Sequence, residues 1–211
     1  NAVSIRLENV RFYMRNVRTR MPFKYGAAVL TSVPILHLIV DGALADGTQV
    51  HGVAADILPP KWFDKDPVKS YEDNVGDLLF AARAASEAYA EAAYKPRRFF
   101  DIWRDAYAQT LAAGDARRLN RLTIAHGSTL LERAIIDAVG RGVGASYFEL
   151  LKKNILGIDL GAIHAELAGV EPGAVLAEAP LARLHVRHTI GLADPITVGD
   201  IADEDRLDDG L

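Results

Sequence analysis

Cysteine is absent from the chain. Its absence excludes disulfides, thiolate nucleophiles and cysteine-ligated zinc together, and it fits a reducing compartment. Long apolar runs are missing too. The most apolar window, 27–40, is broken by Pro34 and His37, and it is too short to span a bilayer. The opening residues Asn1-Ala2-Val3-Ser4-Ile5-Arg6 lack the basic-then-apolar order of a signal peptide. An excess of positive charge is also absent: the formal net charge is -4, which argues against a surface that neutralises nucleic-acid phosphates. The expectation is a soluble, cytoplasmic protein with no nucleic-acid or membrane partner. There is no initial methionine, and the chain is expected to be a piece of something longer.

What is present suffices for a folded core. Apolar residues make up 50% of the chain and charged residues 25%, a globular rather than disordered balance. Ile5, Leu7, Val10 and Phe12 alternate with Arg6, Glu8 and Arg11, with one break in phase, and read as a half-buried strand with an irregularity. Arg18 to Gly26 reads as a basic loop ending in a turn. Val29 to Val40 is rich in β-branched residues, and Thr48 to Val53 resumes strand character. Asp41-Gly42 and Asp46-Gly47 lie between them as turn signals, which predicts an antiparallel meander.

After Pro59-Pro60 the pattern changes. Proline is missing from 68 to 93 and alanine is abundant. Val75, Leu78, Leu79, Ala82, Ala85 and Tyr89 recur at helical spacing. A second helix is predicted over 99–113 with Ile102, Trp103, Tyr107 and Leu111 as its apolar face. A third runs over 116–139 on Leu130, Leu131, Ala134, Ile135 and Ala138, closed by Gly140, Gly142 and Gly144. Ser146-Tyr147-Phe148-Glu149 has the form of a capping box opening a short helix through Lys152. A further helix fits 160–168, strand character returns over 184–190, and an acidic stretch follows. Strands, then helices, then one orphan strand define an α+β order.

Several constellations read as ordinary structure. Gly140-Arg141-Gly142-Val143-Gly144 follows a helix rather than a strand, so it fails the context of a phosphate-cradling loop. Arg6, Arg11, Arg15, Arg18, Arg20 and Lys24 alternate with strand apolars and read as a solvated face. Asp203-Glu204-Asp205 with Asp208-Asp209 reads as a solvated acidic stretch rather than a cation site. The alanine-rich helix is interrupted by Arg83, Glu87 and Glu91, which suits close packing and not a membrane.

The element order and three clusters resemble the N-terminal half of the mandelate racemase and muconate-lactonizing branch of the enolase superfamily. The first cluster is Arg20-Met21-Pro22-Phe23-Lys24-Tyr25-Gly26 followed by Thr31-Ser32-Val33-Pro34-Ile35-Leu36-His37-Leu38. The second is Glu132-Arg133-Ala134-Ile135-Ile136-Asp137-Ala138 with Gly140-Arg141 and Gly144. The third is Tyr147-Phe148-Glu149-Leu150-Leu151. The resemblance implies a capping domain over 1–180, made of a three-stranded meander and a helical bundle. It implies that 181–211 begin a (β/α)₈-type barrel, which when complete takes roughly 250 residues.

In that family the barrel holds Mg on acidic residues and removes the α-proton of a carboxylate, with the metal stabilising the enediolate. No position here matches the family's base or metal ligands, so the resemblance assigns no catalytic and no metal residue to this sequence. It does imply a role for two cap loops. Phe23, Lys24 and Tyr25 would lie in the first, where a base beside an aromatic suits an anionic ligand; a solvated loop is the plainer reading. Lys61 and Trp62 would lie in the second, where Trp62 and Phe63 either line a pocket or staple the loop to the helices. His188 would stand near the C-terminal end of the first barrel strand, facing either substrate or the barrel's polar rim. A small carboxylate substrate and a homo-oligomer follow from the same resemblance. A non-catalytic interaction or assembly module is the alternative.

Overall fold

The computed structural model describes residues 2–25, 28–187 and 194–206. Three strands form the meander: β1 (Ser4–Tyr25), β2 (Ala28–Leu44) and β3 (Gln49–Ile57). Four helices follow: α1 (Tyr71–Ala92), α2 (Phe99–Ala116), α3 (Arg121–Val143) and α4 (Tyr147–Lys152). A two-residue strand, β4 (Arg97–Arg98), completes the sheet in the order β3-β2-β1-β4. The predicted α+β order of meander and helical bundle is the observed one.

The break in phase in the first strand is a bulge. Leu7 pairs with Gly42 and Asn9 with Asp41, leaving Glu8 without a partner. One extra residue turns the buried set from odd positions (Ile5, Leu7) to even ones (Val10, Phe12). Asp41-Gly42 is therefore not a turn; it lies inside β2. Gly42 is small because a Cβ there would stand 2.3 Å from the carbonyl oxygen of Arg6. The hairpin is turned by Asp46-Gly47 alone, with Gly47 at φ +90° and the Leu44 amide bonded to the Thr48 carbonyl at 2.9 Å.

The predicted basic loop at 18–26 is also corrected. β1 continues to Tyr25, pairing Phe23, Lys24 and Tyr25 with Leu30, Val29 and Ala28. Thr19 to Pro22 stand opposite Thr31 in a second, wider irregularity. Pro22 has no amide to give a ladder, and such a break is where a strand tolerates it.

Three of the four helices, α1, α3 and α4, start at a side-chain cap. Ser70 and Ser146 both form complete capping boxes, with Asp73 and Glu149, so the predicted box at Ser146 is present. Asn120 caps α3, accepting from the Thr123 amide at 2.9 Å. The predicted stripe of α3, Leu130 to Ala138, is fully buried. On α2 the buried line is Ile102, Ala106, Thr110 and Gly114, while Trp103 and Tyr107 flank it half-buried.

Gly140 and Gly142 prove to lie inside α3, and only Gly144 stops it, in the left-handed region at φ +64°. Gly142 is needed for approach: a Cβ would come within 2.5 Å of Val50. Closer still are Gly127, whose Cβ would meet the Ala81 carbonyl of α1 at 2.0 Å, and Gly52 of β3, whose Cβ would meet the Ala134 carbonyl of α3 at 2.0 Å. α3 is thus seated against both α1 and the edge strand. Its side chains also finish that edge: Asp137 accepts from the Val53 amide at 2.9 Å, and Arg133 donates to the Ala55 carbonyl at 3.3 Å. Open strand edges otherwise invite pairing with foreign strands.

Two expectations for the last third fail among the described residues. The helix predicted over 160–168 is two separate 3₁₀ turns, Leu160–Ala162 and Ala165–Leu167. Neither buries a side chain, and a short helix without a packed face is not stable in water. Leu184 to Arg187 are exposed and form no strand, since a strand needs a neighbour to pair with. The rest of that run, including His188, lies outside the described residues, and no start of a barrel stands among the described elements. No helix among the described residues is long and apolar enough to cross a membrane.

The glycine contacts yield a paired test. Gly127→Ala forces a Cβ into backbone and is expected to lower stability by about 1–3 kcal/mol or more. Gly76→Ala, in α1 with open space around it, is expected to raise stability by up to about 1 kcal/mol. Urea unfolding midpoints of the two variants check the contrast.

Candidate functional site

The far end of the β1–β2 ribbon carries the first expected segment, and the loop that leaves β3 carries the second. The structure brings them together. The Tyr25 hydroxyl donates to the Pro60 carbonyl at 2.8 Å, and its ring meets Trp62 edge-on at 5.5 Å between centroids. Phe23, two residues earlier and so on the same face of the strand, lies 5.8 Å from Tyr25. Phe23 and Trp62 remain 47% and 55% exposed, an unusual outlay of aromatic surface unless something covers it. Burial and the nearby Tyr71 raise the Tyr25 phenol above its ordinary value, so it is a neutral donor at pH 7.

Beside this trio is a cavity of about 310 Å³ bordered by Tyr25, Thr31, Ser32, Pro60, Lys61 and Tyr71. The Tyr71 hydroxyl donates to the Ser32 carbonyl at 3.3 Å across it. Apolar and aromatic walls with a few convergent polar groups are the usual make-up of a small-molecule pocket. Lys24 does not join it. The regular pairing over 23–25 turns Lys24 to the opposite face from Phe23 and Tyr25, and Lys24 is exposed. The base at the pocket is Lys61 instead. Its ammonium donates to the carbonyls of Asp66 (2.6 Å) and Lys69, which leaves one of three donors for a ligand. Lys61 holds φ at +62°, a left-handed conformation that non-glycine residues rarely adopt. The Lys61 amide bonds to Asn74 Oδ1 at 2.6 Å, which fixes it there.

Trp62 and Phe63 take different neighbours. Trp62 packs against Tyr25 and does not itself line the cavity. Phe63 is turned inward, its ring 5.0 Å from His126 of α3 and its carbonyl accepting from Asn120 Nδ2 at 3.1 Å. The loop's other anchor is Lys69, whose ammonium lies 2.6 Å from Asp64 and 2.7 Å from Asp77. These hydrogen bonds push Lys69 up to about 12 and hold Asp64 below the usual carboxylate range. Tyr71, Lys69 and His126 had no signal in the sequence: they contribute through contacts between segments that spacing does not reveal. His188 lies outside the described residues and is not placed.

A larger groove, about 720 Å³, runs along α3 and α4. Arg133 and Arg141 on its rim are tied to Asp56 and Asp137, each at 2.8 Å. Among the described residues no three His, Asp or Glu side chains come together as a metal-holding group. The resemblance puts its Mg in the barrel, and the described residues offer no group that would hold one.

No protein-family model matches the chain, and no curated protein matches it. Among solved structures it is similar to an enolase from alpha pretobacterium bal199 with bound Mg, at 12% identity and a TM-score of 0.41, over 66% of this chain and 32% of that one. It is similar to a Sorangium cellulosum protein assigned to the mandelate racemase/muconate lactonizing enzymes, at 22% identity and a TM-score of 0.35, over 69% and 34%. It is also similar to a mandelate racemase/muconate lactonizing protein from Herpetosiphon aurantiacus, at 18% identity and a TM-score of 0.34, over 64% and 31%. The matched part spans about a third of each of those chains. Likenesses of this size leave the site to be read from the chain's own residues.

The Lys69 cluster makes a testable claim. Side chains there are 12–27% exposed, and Lys69→Met, which strands two carboxylates, is expected to cost about 1–3 kcal/mol. The stability from Asp64 is full above its ordinary 3.8 and fades as pH falls through its lower folded value. The stability from Lys69 is full below 10.5 and fades as pH rises through about 12. Urea unfolding from about pH 2 to 7 checks the Asp64 side, where the variant is expected to lose much of the acid-side slope, and unfolding from about pH 9 to 12 checks the Lys69 side, where the variant is expected to lose the alkaline fall.

Proposed function

We propose that this chain is the substrate-capping part of a Mg-dependent enolase-superfamily enzyme that abstracts the α-proton of a carboxylate such as an acid sugar. The observation that carries the reading is the meeting of Tyr25 from the ribbon with Pro60 and Trp62 from the loop after β3. These are the two segments that resemble the family's specificity loops, and here they form one pocket. On this reading the cap's residues bind, orient and exclude water. Tyr25 forms an apolar wall backed by Trp62, and the Lys61 ammonium offers its remaining donor to an anionic group. Proton transfer and metal binding belong to a barrel, and racemisation, dehydration or cycloisomerisation would share the first step. A homo-oligomer in the cytoplasm completes the proposal.

The alternative is a non-catalytic module that docks a partner. The exposure of Phe23 and Trp62 favours it, since patches of this kind also mark protein interfaces.

The two readings separate in one assay. In the complete protein, Mg-dependent exchange of the α-proton with deuterated solvent is followed by NMR over a panel of acid sugars. Exchange is expected, and Trp62→Ala is expected to raise KM by about 10-fold or more with kcat little changed, the pattern of lost uniform binding. No exchange on any substrate would replace the enzyme reading with the module.

A further inference from the structure

His126 stands apart from the pocket chemistry yet touches the segment that builds the pocket. It is 4% exposed, and its Nε2 has no hydrogen-bond partner. Its ring lies 5.0 Å from the Phe63 ring, the planes inclined by 50°. Phe63 follows directly on Trp62, and its carbonyl is held by Asn120 at the cap of the same helix. So the segment that builds the pocket rests on an imidazole whose buried Nε2 has no acceptor beside it.

We propose that His126 is a proton-sensitive latch on residues 58–64: neutral, it seats Phe63, and protonated, it must leave that seat and loosen Pro60 and Lys61 of the cavity wall together with Trp62. The cost of the charge in place is physical: a buried imidazolium with no acceptor loses its hydration without compensation. The charged groups near it do not supply one. Asp56 at the end of β3 and Arg133 on α3 act on it in opposite senses and are paired with each other at 2.8 Å. On the loop and α1, Asp64 and Asp77 are engaged by Lys69. Burial accordingly lowers the His126 pKa from its ordinary 6.5.

The sign follows from linkage. With the latch open, His126 returns to its ordinary value and binds a proton more readily than when closed. The closed form therefore keeps its full weight above about pH 6.5 and loses it as pH falls below, by at most tenfold per pH unit. The Lys69 ion pairs keep their charge between pH 5 and 7, so the loosening stays confined to the segment around Phe63. The functional consequence rests on reading the aromatic cavity as a ligand site; the latch itself does not.

Hydrogen exchange of the complete protein tests it without ligand. Protection of amides in 58–64, corrected for intrinsic rates, is expected to fall several-fold between about pH 6.5 and 5, while peptides from α1 and α3 hold steady. His126→Gln cannot take the charge and is expected to give a flat profile. His126→Phe serves the same purpose if circular dichroism shows the glutamine variant unfolded. A flat wild-type profile, an equal fall in a folded variant, or loss of protection shared by all helices would overturn the latch. Absence of any ligand affinity would instead count against the pocket and leave the exchange result standing.

Discussion

Helix α3 can lie where it does only because glycines stand at its closest approaches to its neighbours. Gly127 lets its backbone meet α1, and Gly52 lets β3 meet its middle turns; in both cases a methyl group would sit 2.0 Å from a carbonyl oxygen. Close-packed interiors leave no room to absorb such a clash without moving a whole element. From this seat α3 does most of the assembling. It buries Leu130, Leu131, Ala134, Ile135 and Ala138 in the core, and it presents Asp137 and Arg133 to the open edge of the sheet.

The same helix organises the polar interior. Glu132 Oε1 accepts from Ser128 at 2.7 Å, Trp103 of α2 at 3.0 Å and the Tyr89 hydroxyl of α1 at 3.4 Å. Three helices thus converge on one carboxylate oxygen. Leucines and alanines can pack in several relative registers at similar cost, whereas these donors are satisfied in one arrangement only. Burial, with Glu132 nearby, raises the Tyr89 phenol well above its ordinary value, which keeps it a neutral donor to Ser128 or Glu132 at any ordinary pH.

With the helices fixed, the segment from 58 to 70 becomes a strap drawn across their ends. Lys69 holds it on α1 through Asp77, Asn74 fixes the strained Lys61, and Asn120 and His126 hold Phe63 on α3. Its free side chains, Trp62 above all, are thereby presented to Tyr25 on the ribbon. A loop tied at several points loses little entropy on binding a ligand, which is how rigid scaffolds make loops useful.

Much of this was legible in the chain. The change of phase between Leu7 and Val10 announced the bulge, since side chains on a strand alternate and only an extra residue shifts the count. The capping box at Ser146 and the stripe of α3 were local patterns, and local patterns survive folding when nothing contradicts them. Phe23, Lys24, Tyr25, Lys61 and Trp62 were singled out from two segments, and three of the five meet as aromatic neighbours. Other signals pointed elsewhere. Asp41-Gly42 and Gly140-Arg141-Gly142 look like turns because glycine permits turns, yet here glycine serves close approach, which depends on a neighbour far away in sequence. The helix over 160–168 was not formed, because its pattern had no face to bury. The order of the meander and the four helices, and the apolar faces they bury, were already present in the chain, since both follow from spacing a few residues long. Folding decided that Tyr71 joins the site and that His126 lies beneath it, because those facts depend on contacts between residues tens of positions apart; it also turned Lys24 away from Tyr25, since pairing with Val29 makes a strand of what reads as a loop.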